Sequence, residues 1–433
     1  MTAPVLANNL WVIICGLLVF TMTIAVGLLE VGELGEGLHV SLLKTILITG
    51  MALFVMGVVG FNTSFAPTVG GVIGNPFYGQ GFFFGGFSSN VAGTWWSVSS
   101  QGLRTGTYFL FETAFAAVTL ALVGVIVLRK MKLSAFLAYS VVYFVLIWNL
   151  PAAWIWNPSG WLAKIGMVDF AGGLVVHGAA GAAGLAILYH IWHEERRSGL
   201  AHSAQVPIQV SHGWLALAIL LLWVGWFGFN PGSVLAFNDE AIVVVLTTFL
   251  AAATAMASLM LCGYVTTREN PGPLYAVNGI LMGLIIITPL AGFVSPASAV
   301  ILGALGGPLF LIGERWFARY RWFADPVGLL PGHLVGGLFG VVMIAFFTQT
   351  SFAAGSGFPT LPNGLLFGGG GAAVKQLGIE VFGILAVLAL VFTLSYATIS
   401  VLKRVIGGIT TGYARQRVAA ITEVQTIETA AGV

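Results

Sequence analysis

Charge is scarce in this chain: 7% of its residues are Asp, Glu, Lys or Arg, against about 25% in a soluble domain. A water-facing surface cannot be built from so few charges, so most of the surface is expected to face lipid. Cysteine is nearly absent. Cys15 and Cys262 both sit in apolar runs and read as small core or lipid-facing residues, with nothing to suggest a disulfide framework or a metal site. No basic stretch of the kind that grips nucleic acid is present. There is no G-x-x-x-x-G-K-[ST] loop and no soluble segment large enough for a kinase or ATPase, so ATP-driven transport within this chain is not expected. Met1 to Leu10 has no basic n-region, so the apolar run that follows reads as a first helix, not a cleaved signal. No enzyme activity, cofactor or metal is expected.

What is abundant is apolar surface and glycine: 58% of residues are hydrophobic and 58 are Gly. Small residues let helix backbones approach closely where lipid offers no hydrophobic drive to association. Apolar runs of spanning length recur at 10–29, 42–64, 106–128, 135–153, 166–190, 213–235, 241–263, 272–290, 296–313, 327–348 and 376–401. The expected fold is an all-α polytopic membrane protein of eleven transmembrane helices. Residues 1–401 form the membrane domain and 402–433 a cytoplasmic tail. With the N-terminus outside, 14 of the 17 Lys and Arg residues fall inside, as the positive-inside rule requires. The segment 67–105 carries Phe82, Phe83, Phe84, Trp95 and Trp96, residues suited to a membrane interface or a vestibule.

Ionisable groups within spans are costly and often functional. His177 follows Asp169 by eight residues, and His333 follows Asp325 by the same distance. Eight residues of helix rise about 12 Å, which carries a side chain from one face to near the midplane of a ~30 Å core. The Asp169–His177 span runs inward and the Asp325–His333 span outward, so the two histidines can meet. Five spans separate the pairs, as in an inverted repeat of helices 1–5 and 6–10 with helix 11 appended. Hydrogen-bonded packing is the plainer alternative, and a metal site lacks a third ligand. Gly173 and Gly181 flank His177, and Gly332, Gly336 and Gly340 form small-xxx-small steps around His333, read as close helix packing.

Asp169-Phe-Ala-Gly-Gly-Leu-Val-Val-His177 resembles the signature of the ammonium transporter / methylammonium permease / Rhesus family. Phe111-Glu-Thr-Ala-Phe115, Trp156, Trp226-Phe-Gly-Phe-Asn-Pro-Gly-Ser233, the segment Asn278 to Gly292 with Thr288, and Asp325-Pro…His333 follow in the family's order. The likeness covers roughly residues 10–401. It implies a homotrimer in the plasma (cell inner) membrane that passes ammonium or ammonia through one pore per subunit. Carried over by position, Phe115, Trp156 and Ser233 form a cation-recruitment site, and Phe111 and Phe229 the gate. His177 and His333 are the proton-relaying pair. Asp169, Asp325 and Thr288 are structural or electrostatic. Two other readings fit the same resemblance: a receptor that binds ammonium and signals, and a paralogue conducting methylammonium or carbon dioxide.

The chain also departs from the family pattern. Glu30, Glu33 and Glu36 replace a Tyr-Gly-Gly turn with a basic residue. They read either as a solvated face shared by three carboxylates or as an inner acidic site. Glu112 stands where a neutral residue is usual. If Phe111 and Phe115 face the pore, Glu112 points about 100° away and needs a donor such as Tyr or Ser. Position 328 is Gly, so Asp325 has no second carboxylate beside it. The tail lacks the acidic, glycine-containing motif tied to regulation in the family, so control by a PII-type nitrogen-signalling protein is not expected.

Overall fold

The structure is a computed structural model that describes residues 1–95, 102–197, 210–320, 325 and 327–412. Trp96, Arg321, Arg415, Arg417 and the tail from residue 413 lie outside the described residues. Ten helices are long and apolar enough to cross a membrane: α1 (Ala3–Leu34), α2 (Leu38–Phe65), α3 (Thr105–Val127), α4 (Leu133–Ile155), α5 (Gly173–Arg197), α6 (His212–Gly232), α7 (Asp239–Thr267), α9 (Pro296–Phe317), α10 (Leu330–Phe347) and α11 (Gly370–Ile406). The shorter apolar helix Pro273–Ile287 is α8. The protein is a polytopic all-α membrane protein. Among the described residues, sheet is confined to a two-strand hairpin, β1 (Thr68–Val69) with β2 (Ile73–Gly74), in the α2–α3 connection.

Helix ends follow local chemistry. Pro lies in the first turn of α1, α8 and α9, where its missing N–H is no loss. Asn238 and Ser295 cap α7 and α9 by accepting the amides of Ala241 and Ser298, as N-cap side chains do. Most helices outrun their expected spans because regular hydrogen bonding continues past the apolar stretch. α8 and α10 instead fall a few residues short, and α5, expected from 166, begins seven residues late at Gly173. Gly172 has φ +110°, a backbone state that favours glycine and breaks the approaching helix.

Consecutive helices alternate in direction. Asp169 therefore lies on the side that carries the N-terminus, and Asp325 on the opposite side. The helices α3 and α5 are the most enclosed and α11 the least. Rows of exposed apolar side chains, such as Ile14 and Leu17 on α1, Leu217, Leu220 and Val224 on α6, and Leu385 on α11, suit contact with lipid or another subunit. Beyond α11 the chain folds back on the α3–α4 turn. There Lys132 N–H donates to the carbonyl of Ile409 at 2.7 Å, and Glu194 of α5 accepts the amides of Ile409 and Thr410.

The departures noted in the sequence resolve unevenly. Trp95 and Phe82 are buried among Phe61, Tyr78 and Phe109, whereas Phe83 and Phe84 are exposed. Glu30, Glu33 and Glu36 do not share one helix side. α1 stops at Leu34, and Gly35 at φ 63° turns the chain before Glu36. Glu30 and Glu36 instead clasp Lys44 of α2 at 3.1 and 3.0 Å, while Glu33 sits apart, near Asp325.

Candidate functional site

The centre of the molecule is set by two matching turns. Asp169 is 2% exposed. Its Oδ1 accepts the amides of Gly172 and Gly173 at 3.0 and 2.7 Å, and its Oδ2 those of Leu174 and Val175 at 2.8 and 2.9 Å. One carboxylate thus satisfies four amides at the N-terminus of α5, where the helix dipole also favours negative charge. Half-buried Asp325 does the same for α10, accepting from Val327 at 3.2 Å and Leu330 at 2.6 Å. Each aspartate precedes a left-handed glycine, Gly172 or Gly328. Each is followed by a wide π-helical turn, Gly173–Gly178 or Leu330–Val335. Each turn holds a histidine. His177 and His333 stand 156 residues apart, and the aspartates and the glycines repeat at that same interval.

The helices α5 and α10 cross at glycine. A Cβ on Gly337 would lie 3.0 Å from the Cβ of His177 and collide with the carbonyl of Gly173; one on Gly181 would lie 2.6 Å from the Cβ of Leu334. This close crossing brings the imidazoles together. His177 Nδ1 and His333 Nδ1 are 3.0 Å apart, inside the hydrogen-bonding range. Both rings are buried, and His177 Nε2 has no partner among the described residues. The pair opens on a narrow cavity lined otherwise by apolar side chains, including Val118, Leu122, Val176, Leu222 and Phe229. His177 stacks 5.9 Å from Phe229 and 5.5 Å from Trp226.

One of the rings that line the cavity, Phe229, carries a second ring on it. Phe115 and Phe229 lie 4.2 Å apart, centroid to centroid, in a tilted stack. The resemblance assigned this place to Phe111. Phe111 instead lies 4.8 Å from Phe115, with its ring against Gly232 of α6 and its backbone against Gly16 of α1. Trp156 meets Phe115 edge-on at 5.8 Å and donates its indole N–H to the carbonyl of Asp169 at 2.7 Å. Ser233 is half-buried at the end of α6, its hydroxyl bonded to the carbonyl of Phe229 at 2.9 Å. Thr288 is fully buried away from these rings. It accepts from the Trp226 indole at 3.0 Å and donates to Asn230 at 3.2 Å, tying α6 to α8.

Glu112 is buried and hydrogen-bonded to the hydroxyl of Tyr108, one turn earlier on α3. Its Oε2 has no partner among the described residues. Tyr108 in turn packs on Phe61 and Phe65 of α2. Sequence reasoning missed Trp226, whose ring flanks His177, and Glu380, which accepts the amide of Val168 at 3.2 Å. A lone buried carboxylate within the apolar run of α11 was the available signal. Among the described residues, no group of three His, Cys, Asp or Glu side chains could hold a metal ion.

Tightly packed spanning helices around an apolar cavity with a buried histidine pair define the class: a polytopic helical membrane protein with a polar device at its centre. The model of the Ammonium Transporter Family matches residues 10–418, and the chain belongs to that family. It is 29% identical over 410 residues to an ammonium transporter of Bacillus subtilis, with 92% of each chain covered. It is 30% identical over 371 residues to ammonium transporter Amt1 of Archaeoglobus fulgidus, with 86% of each covered. Among solved structures it resembles Mep2 of Candida albicans, at a TM-score of 0.80 and 26% identity over 92% of this chain and 84% of that one. It also resembles a protein described as a sensor Amt protein, at a TM-score of 0.81 and 25% identity over 96% of this chain and 97% of that one.

Proposed function

We propose that the protein carries ammonium across the plasma (cell inner) membrane by capturing the cation at an outer aromatic site and passing ammonia through the apolar cavity. The observation that carries this reading is the pair of imidazoles 3.0 Å apart beneath the stacked Phe115 and Phe229 rings. The amino-terminal side is taken as the outside, and the C-terminus as cytoplasmic. Trp156, Phe115 and Ser233 form the capture site, with Phe111 as a further wall. Aromatic faces attract a small cation by about 0.5–2 kcal/mol, and a serine hydroxyl accepts one of its protons. The gate is Phe115 with Phe229.

Past the gate a bare cation would lose its hydration at a cost of several kcal/mol, which a neutral molecule avoids. Ammonium therefore yields a proton, ammonia crosses, and the proton travels by way of the histidines and rejoins ammonia inside. An Nδ1···Nδ1 bond holds one proton between the two rings, so one Nε2 is left as a donor and the other as an acceptor. Asp169 and Asp325 hold the two helix starts that aim the rings. The assembly proposed is a homotrimer with one pore per subunit, each subunit an inverted repeat of α1–α5 and α6–α10.

A second reading, an ammonium receptor of the same fold, is favoured by the likeness to a sensor Amt protein. Flux separates the two. Purified protein in liposomes should acidify or polarise the lumen when ammonium is added. Binding without flux would favour the receptor. A panel with methylammonium and carbon dioxide tests the substrate.

A further inference from the structure

The helix α11 falls outside the proposed five-plus-five repeat, and one of its faces carries a carboxyl group that the cavity does not use. Glu380 is fully buried. Its Oε1 accepts the amide N–H of Val168 at 3.2 Å and the side-chain N–H of Gln376 at 2.7 Å. The same Gln376 amide donates to the carbonyl of Gly166 at 2.9 Å. One turn beyond Glu380, Gly383 leaves the room that the thioether of Met167 fills. Positions 376, 380 and 383 are spaced i, i+4, i+7 and share one helix face. That face therefore holds three consecutive residues of the α4–α5 connection: Gly166, Met167 and Val168.

The next residue is Asp169, whose carboxylate starts α5 and whose carbonyl accepts the indole N–H of Trp156 at 2.7 Å. A displacement of Val168 thus reaches Trp156 through one peptide bond and one hydrogen bond. Packing alone does not call for a carboxyl at a fully buried position, since burying it costs more than burying an aliphatic group. What it supplies is an acceptor for the Val168 amide, which would otherwise be orphaned. Oε2 has no partner among the described residues, so the role is carried by Oε1.

We propose that Glu380 is a positioning residue for cation capture: through Val168 and Asp169 it fixes the Trp156 indole against Phe115. The inference rests on the reading of Trp156 and Phe115 as the capture site. Two quantities test it on the full-length protein in liposomes. One is the half-saturating ammonium concentration with its maximal current; the other is amide hydrogen exchange in peptides covering residues 163–176. Glu380→Ala should raise the half-saturating concentration roughly five- to tenfold, the loss of about one cation–aromatic contact, with the maximal current little changed. Exchange from Gly166 to Val175 should rise with it. Glu380→Gln retains the carbonyl acceptor and should restore both values, and Gln376→Leu should move both in the same direction by less. A residue that merely supports the fold would lower yield and melting temperature and leave the half-saturating concentration unchanged. That outcome, or unchanged exchange around Val168, overturns the proposal. Should Glu380→Ala fail to fold, Gln376→Leu decides on the same two readouts. Wild-type protein that neither passes an ammonium current nor binds ammonium would instead sink the capture-site reading, and exchange alone would then judge the positioning link.

Discussion

Asp169 concentrates more backbone bonding than any other side chain at the centre, with four amides on one carboxylate. Removing it orphans those donors where no water reaches them, and charged acceptors of this kind are worth about 1.5–3 kcal/mol per bond. Asp169→Ala should destabilise the protein by about 3–5 kcal/mol, read as a fall in melting temperature in detergent, and should abolish transport. Full transport by a well-expressed variant would contradict this role. Glu112 is a different case. Its bond to Tyr108 and its burial behind the Phe111–Phe115 face suit a structural group. Glu112→Gln should leave ammonium currents within about twofold and shift stability by about 1 kcal/mol. A large rise in half-saturating ammonium with folding intact would put Glu112 in the vestibule instead. At this scale the sequence was informative where spacing dictated geometry: eight residues from Asp to His, twice, brought two imidazoles to one depth. It was silent on which phenylalanine stacks on Phe229. Phe111 and Phe115 lie one turn apart on the same helix, and only the packing of α1 and α6 against α3 separates them.

Elements add constraints that no single residue carries. α5 and α10 cross where Gly337 and Gly181 admit the partner helix, and each begins with a π-helical turn. Replacing Gly337 with Val should overpack the crossing by about 1–3 kcal/mol and part the imidazoles. Transport should fall at least tenfold while the protein still elutes as a folded oligomer; normal flux would show that the histidine distance does not matter. The glycine steps made close packing legible at Gly181 and Gly340, but not at Gly337, where the crossing is tightest, and Gly332 packs on nothing closely. The π turns were not legible, because helices that are apolar or glycine on almost every side have no polar stripe whose phase an inserted residue could shift. The α1–α2 turn shows another limit. Glu36 looked like part of an acidic stripe, yet a left-handed Gly35 folds it onto Lys44. Burial raises the Glu36 carboxyl, but Lys44 and the Gly37 amide outweigh it and hold it below its ordinary value. Its contribution is therefore present above the ordinary carboxylate range and is lost as pH falls through the lowered value. Glu36→Gln should cost up to about 1 kcal/mol near neutral pH, screening included, and the gap to wild type should close in acid. A gap that persists in acid would assign the loss to packing.

For the whole molecule, composition alone settled the class, since 7% charge cannot clothe a soluble protein of this size. Apolar runs gave the eleven helices to within a few residues at most ends; α1 and α11 extend well past their runs, and Gly172 delays the start of α5. The tie between α11 and the α4–α5 connection was beyond reach of the sequence, because Glu380 and Val168 are 212 residues apart and meet only in the folded chain. Whether the protein moves ammonium along the histidine-lined cavity is decided by proteoliposomes on a solid-supported membrane. An ammonium pulse should give a saturable current or a pH transient that ends with protein removal. His177→Leu and His333→Leu, folded and reconstituted equally, should suppress it at least tenfold. No response from folded wild-type protein, or an undiminished one from both histidine variants, would rule out ammonium transport past this pair.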